Sequence, residues 1–234
     1  MKLPFLTRRQ ASDSTTHSQG ADPIGAQMLV RRYQTAIDRI TLAREEGGVF
    51  ALVSAVGEEG RTTTAMGLAL AAARLKPGRQ IALVDFDLRQ PSIHARVGLP
   101  LAAGVREALA EGADLDAVLR GTVESNLSVL TAGQGAVDLP DVFTSGQFTS
   151  LLSALRSRFS MVFVDTAPLL RYGDASLLAR HVDGVVMVVR ADYSRLATSR
   201  EALEMLEPLR ERIVGAVCND YRDPFPFNLL RKLG

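Results

Sequence analysis

The sequence contains little of several residue types, and each shortage excludes a class of protein. One cysteine, Cys218, among 234 residues excludes an internal disulfide framework and the paired thiolates of an iron–sulfur or CxxC metal site. No apolar run reaches the roughly 20 residues of a membrane span, and the N-terminal "MKLPFLTRRQ" lacks the apolar core of a secretory signal. We therefore predict a cytoplasmic protein, with Cys218 as a buried thiol on a strand.

The net charge of the chain is also small. The formal charge of +1 gives no field that would draw the whole protein to nucleic acid, so we predict no nucleic-acid partner. Lysine is rare as well, with three lysines against 24 arginines. Apolar residues, in contrast, make up 47% of the chain, enough for one sizeable domain with short extensions.

The chain divides into three predicted parts. Residues 1–23 are rich in Ser, Thr, Gln and Asp, and we predict a disordered leader. Residues 24–220 form the single domain, which begins with an amphipathic helix over 25–46. Its apolar residues recur at spacings of three and four, and they are Met28, Leu29, Tyr33, Ile37 and Ile40. Residues 221–234 remain as a short C-terminal tail.

Six apolar, β-branched runs alternate with helical patterns along the domain, and "GVREALAEGADLDAVLR" is predicted as one of the helices. The runs are "VFALVSAV", "QIALVDFD", "LSVLTAG", "SMVFVDTA", "GVVMVVRA" and "RIVGAVCN". They are continuous rather than alternating, as in strands that are buried on both faces of a sheet. This order predicts an α/β fold with a doubly wound, mainly parallel sheet and helices on both faces. Ligands of such folds bind beyond the carboxyl ends of the strands.

The stretch "SAVGEEGRTTTAMGLALA" follows the first predicted strand and resembles a phosphate-binding loop. A glycine-rich turn before a helix aims backbone N–H groups and the positive end of the helix dipole at one anion. Against the pattern G-x-x-x-x-G-K-[ST], Gly60 and Thr62 fit, whereas Ala55 and Arg61 depart. A turn that binds no nucleotide is the alternative. The expected nucleotide-binding residues here are Gly57, Glu58, Glu59, Gly60, Arg61, Thr62 and Thr63.

Polar residues also follow three later strands. Asp85 and Asp87 in "ALVDFDLRQPS" project to the same side, where a carboxylate pair can hold Mg²⁺ through water and accept a proton. Asp165 in "MVFVDTAP" has the general form of a Walker B carboxylate, which steers Mg²⁺. Asn219 follows the last strand, where its amide could read a purine edge. The alternative for Asp85 and Asp87 is a solvated turn with a helix cap. Apolar runs that end in Asp are common, and Asn219 taken alone is a very weak signal.

The order and spacing of these segments resemble the bacterial tyrosine kinase family over roughly residues 24–220. The segments are "SAVGEEGRTTTAMGLALA", "IALVDFDLRQPSIHARVGL", "GVREALA", "LSVLTAGQ", "MVFVDTAPLLRYGDASLLARHVDGVVMVVRADYSR" and "GAVCND". These kinases are P-loop ATPases of polysaccharide export, and "VDFDLRQPS" is among the most specific pieces. The resemblance implies ATP or ADP as ligand, with Mg²⁺.

By this resemblance, Asp85 and Asp87 correspond to the Walker A′ carboxylates and Asp165 to the Walker B carboxylate. Thr62 corresponds to the hydroxyl that binds Mg²⁺. The expected catalytic residues are Asp85, Asp87 and Arg61, and the expected metal ligands are Thr62, Asp85 and Asp165.

The resemblance also implies a partner. Family members work with a membrane polysaccharide co-polymerase in exopolysaccharide or capsule biosynthesis. Because this sequence shows no membrane span, we expect the co-polymerase to be a separate chain that recruits the protein to the inner face of the plasma membrane.

Three departures from the family P-loop, Pro-Gly-Glu-Gly-Lys-Ser/Thr, leave the activity open. Gly57 replaces the proline, Glu58 the glycine and Arg61 the lysine. Glu58 brings a side chain to a place where backbone passes close to phosphate, and a planar guanidinium does not reproduce a compact ammonium. The hypotheses are an attenuated ATPase or tyrosine kinase, and a pseudokinase adaptor without catalysis.

Two further family features are reduced in this sequence. The Glu-x-x-Arg-x-x-Arg motif of ring assembly matches Met28, Arg31 and Gln34, so one position of three is kept and a homo-oligomer stays an open expectation. After Asn219 a single tyrosine, Tyr221, replaces the family's C-terminal tyrosine cluster.

Partition and septum-positioning ATPases share the predicted fold and are the other alternative. Their signature lysine lies five residues before the P-loop lysine, and Val56 occupies that position here. The tail "FPFNLLRKLG" is similar to their membrane-targeting segment, but its ten residues can bury little area, which favours a frayed or partner-docking tail.

Overall fold

The computed structural model describes residues 23–45, 47–111, 114–135 and 139–221, which contain one seven-stranded sheet. The strands are β1 Gly48–Ser54, β2 Ile81–Asp85, β3 Arg120–Gly121, β4 Leu127–Leu130, β5 Met161–Asp165, β6 Gly184–Arg190 and β7 Ile213–Asn219. Their spatial order is β3-β4-β2-β5-β1-β6-β7, and every pair is parallel except β3 with β4. The prediction of a doubly wound, mainly parallel sheet is confirmed, and the short edge strand β3 is an addition to it.

The helices cover both faces of this sheet. They are α1 Pro23–Ala43, α2 Arg61–Leu75, α3 Ile93–Val97, α4 Val105–Glu111, α5 Leu115–Val118, α6 Leu139–Val142, α7 Gly146–Arg158, α8 Asp174–Ala179 and α9 Leu196–Met205, with a 3₁₀ helix over Glu207–Arg212. Strand β1 shows why two layers form. Val49 and Val53 contribute to one core and Phe50 to the other, because successive side chains of a strand point to opposite faces.

Two predicted helices differ in extent from the observed ones. The N-terminal helix predicted over 25–46 runs from Pro23 to Ala43. The segment predicted as one helix from "GVREALAEGADLDAVLR" is divided into α4, α5 and the start of β3. A new helix begins at α5 because the Asp114 carboxylate accepts the backbone N–H of Asp116 at 3.2 Å and caps it.

Helix α1 packs on α2 through a glycine. A Cβ atom on Gly67 would lie 2.1 Å from Cε2 of the Tyr33 ring, so only glycine leaves room for this aromatic side chain. Tyr33, Ile37 and Ile40 are buried as their spacing predicts. Met28, one position before the buried Leu29, is exposed, so the apolar stripe is narrower than the sequence indicates.

The predicted leader and tail lie almost wholly outside the described residues. Pro23 belongs to α1, and Tyr221, the last residue described before the chain end, is exposed. Within the part of the chain that the structure describes, no helix is both long and apolar enough to cross a bilayer.

Cys218 is exposed, so the prediction of a buried thiol is wrong. It lies on β7, which is the last strand of the sheet and pairs with β6 alone among the described strands. Ala216 and Cys218 alternate with half-buried neighbours, as on an edge strand whose one face is open to solvent. An apolar run alone does not reveal which strand will form the edge.

We expect the Cys218 thiol to react in the folded protein, because its side chain is exposed on β7. Titration with Ellman's reagent should modify one thiol per chain at nearly the same rate without and with urea. A thiol that reacts in urea alone would contradict its placement. Cys218→Ser is the control that should abolish the signal.

Candidate functional site

The carboxyl ends of β1, β2, β6 and β7 border one cleft of about 550 Å³. The structure therefore brings the glycine turn, Asp87 and Asn219 together, as the sequence predicts for chain segments at one edge of a parallel sheet. The lining residues are Gly57, Glu58, Glu59, Gly60, Arg61, Thr62, Thr63, Asp87, Gln90, Ser92, Arg96, Pro168, Arg190, Asn219 and Asp220.

Gly60 closes the turn in a conformation that other residues rarely adopt. Its φ is +89°, and a Cβ atom there would lie 1.8 Å from Nδ2 of Asn219. The same Nδ2 donates a hydrogen bond to the carbonyl oxygen of Glu59 at 3.2 Å. Asn219 therefore supports the turn through its amide nitrogen, while its predicted contact with a purine stays a prediction.

Helix α2 begins directly after this turn, and no side chain of the described residues caps its N-terminus. The first backbone N–H groups of a helix have no partner within the helix, so they are available to an anion at this position. Gly57 at the entrance of the turn has open space around it, since a Cβ atom there would meet nothing within 4 Å. The backbone of the loop therefore suits a phosphate group.

The two glutamates of the turn have different environments. Glu58 is exposed and adopts φ of +64°, a left-handed conformation in which a side chain is disfavoured. Glu59 is buried, and its Oε2 accepts the backbone N–H of Val56 at 2.9 Å while its Oε1 accepts the hydroxyl of Ser194. The Glu59 carboxylate thus holds the loop in place, whereas the Glu58 carboxylate can repel an anion that binds at the turn.

Arg61 turns inward and binds the carboxylates that follow β2 and β5. Its Nε donates to Oδ1 of Asp165 at 3.2 Å, and its Nη2 donates to Oδ2 of Asp87 at 3.1 Å. Its Nη1 donates to Oγ of Ser54 at 2.6 Å. The guanidinium is 8% exposed, so this is a buried ion-paired network.

The threonines after Arg61 have one contact each in the site. Thr62 donates from Oγ1 to Oδ2 of Asp165 at 2.5 Å. Thr63 lies on the first turn of α2, where its Oγ1 accepts Nη1 of Arg96 at 3.5 Å. Thr62 and Asp165, two of the three predicted metal ligands, are therefore neighbours.

Asp85 lies beneath the cleft rather than on its wall. It is fully buried, and its Oδ2 accepts the backbone N–H groups of Ser92 and Ile93 at 3.1 and 3.0 Å, which caps α3. Its Oδ1 has no hydrogen-bond partner among the described residues. Burial, together with the charge of Asp165, raises the pKa of Asp85 to about 7.

The two other carboxyls are shifted in the same direction. Burial raises the pKa of Asp165 to about 6, and the bonds from Arg61 and Thr62 oppose this rise. Burial also raises the pKa of Asp87, against the opposing bonds from the N–H of Gln90 and from Arg61. The desolvation of these groups outweighs the one buried cation near them.

The donor set fits Mg²⁺ if a nucleotide supplies further oxygens. The unpartnered Oδ1 of Asp85 and the Thr62 hydroxyl are hard oxygen donors near Asp165. Within the described ranges, however, no three acidic, histidine or cysteine side chains converge to hold a metal ion. Mg²⁺ usually keeps several waters and uses substrate phosphates, so this arrangement suits a metal that arrives with a nucleotide.

Seven residues of the site were not among the predicted ones: Ser54, Gln90, Ser92, Arg96, Pro168, Arg190 and Asp220. Arg190 pairs with Asp220 at 3.1 Å, and its Nη1 donates to the carbonyl oxygen of Glu58 at 3.3 Å. Arg190 is the second-last residue of the run "GVVMVVRA", so its place at the carboxyl end of a strand was a usable signal. Arg96 lies on the short helix α3 rather than at the end of a strand, so the rule that ligands bind beyond the strand ends does not point to it.

Comparison with curated proteins confirms the resemblance to bacterial tyrosine kinases. Over 189 residues the chain is 28% identical to the tyrosine-protein kinase YwqD of Bacillus subtilis, covering 81% of this chain and 78% of YwqD. Over 150 residues it is 27% identical to the putative tyrosine-protein kinase EpsB of Ralstonia nicotianae, which covers 64% of this chain but 20% of EpsB. No protein-family model matches the chain.

Solved structures agree with this result. The kinase domain of VpsO superposes with a TM-score of 0.76 at 29% identity, covering 85% of this chain and 97% of that domain. The chimerical protein CapA2B2 superposes with a TM-score of 0.74 at 25% identity, covering 88% of this chain and 89% of CapA2B2. The septum site-determining protein MinD of Pyrococcus horikoshii, complexed with Mg-ADP, shares the fold at 22% identity and a TM-score of 0.58, covering 79% of this chain and 76% of MinD.

Arg61→Ala should destabilise the protein by about 3 kcal/mol near pH 7.5, because it leaves Asp87 and Asp165 buried without their cation. At pH 5 the loss should be smaller, since the freed carboxyls can take up protons. Urea unfolding at both pH values measures it. The control Arg158→Ala removes the exposed pair with Asp116, which should contribute less than about 1 kcal/mol. Equal losses for the two variants would contradict the buried network.

The raised pKa of Asp85 predicts a pH-dependent stability. The folded state holds this proton more tightly than the unfolded state, so the contribution of Asp85 is lost as pH rises through about 7. Asp165 acts in the same direction. As pH rises from 5 to 8, the free energy of unfolding should fall less for Asp85→Asn than for wild type, by on the order of 2 kcal/mol.

Urea unfolding at each pH checks this prediction. Asp38→Asn on the exposed face of α1 serves as the control and should follow the wild-type profile. If Asp85→Asn also follows the wild-type profile, Asp85 does not exchange its proton as the structure implies.

Proposed function

We propose that this protein binds ATP or ADP together with Mg²⁺ and acts as an attenuated member of the bacterial tyrosine kinase type. One observation carries the proposal. The N-terminus of α2, the Gly60 turn and the Asp87 carboxylate line one cleft at the sheet edge, and the buried Asp165 carboxylate bonds to Arg61 and Thr62 of that lining. A phosphate site beside carboxylates is the arrangement that phosphoryl transfer requires.

The cleft has the size and the backbone for a nucleotide. Its volume of about 550 Å³ falls within the range of small-ligand pockets. The open N–H groups at the start of α2 would bind the phosphates. Asn219, at the end of β7, lines the same cleft and leaves its Oδ1 available for a base.

Mg²⁺ would be held by Thr62 and, directly or through water, by Asp165, with Asp85 as the third oxygen group beneath them. When bound with the nucleotide, Mg²⁺ would neutralise charge on the phosphate oxygens. Asp87 would then accept a proton from the attacking hydroxyl or water once Arg61 releases it.

Arg61 supports a slow rather than a rapid reaction. Its guanidinium is shared between Asp87 and Asp165, so the proton acceptor and the carboxylate that steers Mg²⁺ are both engaged by one cation. The exposed carboxylate of Glu58 adds negative charge at the mouth of the phosphate site. Both features lower the activity that this loop can support.

The resemblance supports a role in exopolysaccharide or capsule biosynthesis. We propose a membrane polysaccharide co-polymerase on a separate chain as the partner, with recruitment of this protein to the inner face of the plasma membrane. Tyr221 is exposed at the end of the described domain and is the tyrosine that a kinase partner copy could reach most readily.

A pseudokinase adaptor is the second candidate. The same three hydrogen bonds of Arg61 favour it, since they satisfy both carboxylates without any metal or nucleotide. In that function the protein would bind the co-polymerase, with nucleotide at most a structural ligand.

Magnesium-dependent ATP binding and turnover test the proposal. We expect wild type to bind ATP with Mg²⁺ and to hydrolyse it slowly. Arg61→Lys should raise turnover by about tenfold, because a compact ammonium cannot hold both carboxylates as the planar fork does. Asp87→Asn in the Arg61→Lys background should remove that gain.

Arg158→Lys, far from the cleft on α7, is the matched control and should leave turnover unchanged. Absence of nucleotide binding in wild type and in Arg61→Lys would overturn the nucleotide function. If both proteins bind the nucleotide and neither hydrolyses it, the result would favour the adaptor function instead.

A further inference from the structure

Three arginines line the phosphate cleft, and they differ in what their charges already contact. They come from three elements, with Arg61 on α2, Arg96 on α3 and Arg190 at the end of β6. A phosphate needs a cation that can turn towards it and that is not already neutralised. The arginine that has no carboxylate partner is therefore the candidate for binding a phosphate.

Arg61 and Arg190 are both committed to the protein. All three guanidinium nitrogens of Arg61 donate to its own chain, and two of the acceptors are carboxylates. Arg190 pairs with Asp220 and also holds the carbonyl oxygen of Glu58. A phosphate that recruited either side chain would have to break an existing ion pair.

Arg96 is in a different situation. Its guanidinium has no carboxylate within 4 Å among the described residues, and its one polar contact is the long bond to Thr63. The side chain is exposed. Its five N–H donors therefore stay almost entirely available to a ligand in the cleft.

The position of Arg96 also points at the phosphate site. Thr63 belongs to the first turn of α2, so the Arg96 guanidinium reaches the helix end whose open N–H groups would bind an anion. Helix α3 is held in place by the buried side chains Ile93 and Val97 and by the Asp85 carboxylate at its start. Arg96 thus projects from an anchored helix.

We infer that Arg96 binds a phosphate group in this cleft and supplies the positive charge that Arg61 withholds. The inference rests on the proposed nucleotide function and names the residue through which the phosphates are recognised. Neither the P-loop pattern nor the carboxylate motifs include this position. The ligand class is a di- or triphosphate, free or attached to a nucleoside.

Calorimetric titration with ADP, adenosine and inorganic pyrophosphate tests this role. Arg96→Ala should weaken binding of ADP and pyrophosphate by about tenfold, the scale of one charge-assisted hydrogen bond. Binding of adenosine, which has no phosphate, should not change. Arg96→Lys should recover part of the loss, because it keeps the charge without the planar fork.

Arg200→Ala is the matched control, since Arg200 is exposed on α9 and does not line the cleft. It should bind all three ligands as wild type does. Raising the salt concentration should weaken binding of ADP more in wild type than in Arg96→Ala, as expected when a surface cation contributes.

The outcomes separate this inference from the proposed function. If wild type binds ADP and Arg96→Ala binds it equally well, Arg96 is not a phosphate ligand and the nucleotide function stands. A loss of adenosine binding equal to that of ADP would also overturn the inference, since it would indicate a disturbed cleft. If wild type binds neither ADP nor pyrophosphate, both proposals fail, whereas Arg96-dependent binding of pyrophosphate alone would reject only the nucleotide.

Discussion

The hydrogen bonds of Arg61 to Ser54, Asp87 and Asp165 are the interaction on which the site depends. They join the ends of β1, β2 and β5 beneath the cleft, and they place the buried Arg61 cation among buried carboxyls. Desolvation raises the pKa of Asp87 and of Asp165, so the charge of these two groups is tolerated only with such a partner. The residue that departs from the P-loop pattern is thus also the residue that stabilises its carboxylates.

The loop above this network is held from the opposite side. Glu59 contacts Val56 and Ser194, and Asn219 contacts the Glu59 carbonyl. Arg190 adds a bond to the carbonyl of Glu58. The loop is therefore fixed by the ends of β6 and β7 as well as by its own helix, which gives it a defined shape before any ligand binds.

The parts of the fold that follow from hydrophobic pattern could be predicted from the sequence. Six of the strands are continuous apolar runs. Because the carboxyl ends of parallel strands lie at one edge of the sheet, Asp87 and Asn219 could be predicted to lie at the same edge. The direction of a side chain could not be predicted, because it depends on contacts between distant segments. Asp85 is the last residue of β2 and Asp87 follows it, yet Asp85 caps α3 and only Asp87 of the two reaches the cleft. Cys218 is exposed for a similar reason, since strand order decides which apolar run forms an edge.

The contact between Gly60 and Asn219 also has an evolutionary consequence. A side chain at position 60 would occupy the space of the Asn219 amide, and a shorter residue at position 219 would leave the Glu59 carbonyl without its donor. Neither position can change alone without loss to the loop. Descendants of this protein should therefore inherit the two residues as a pair.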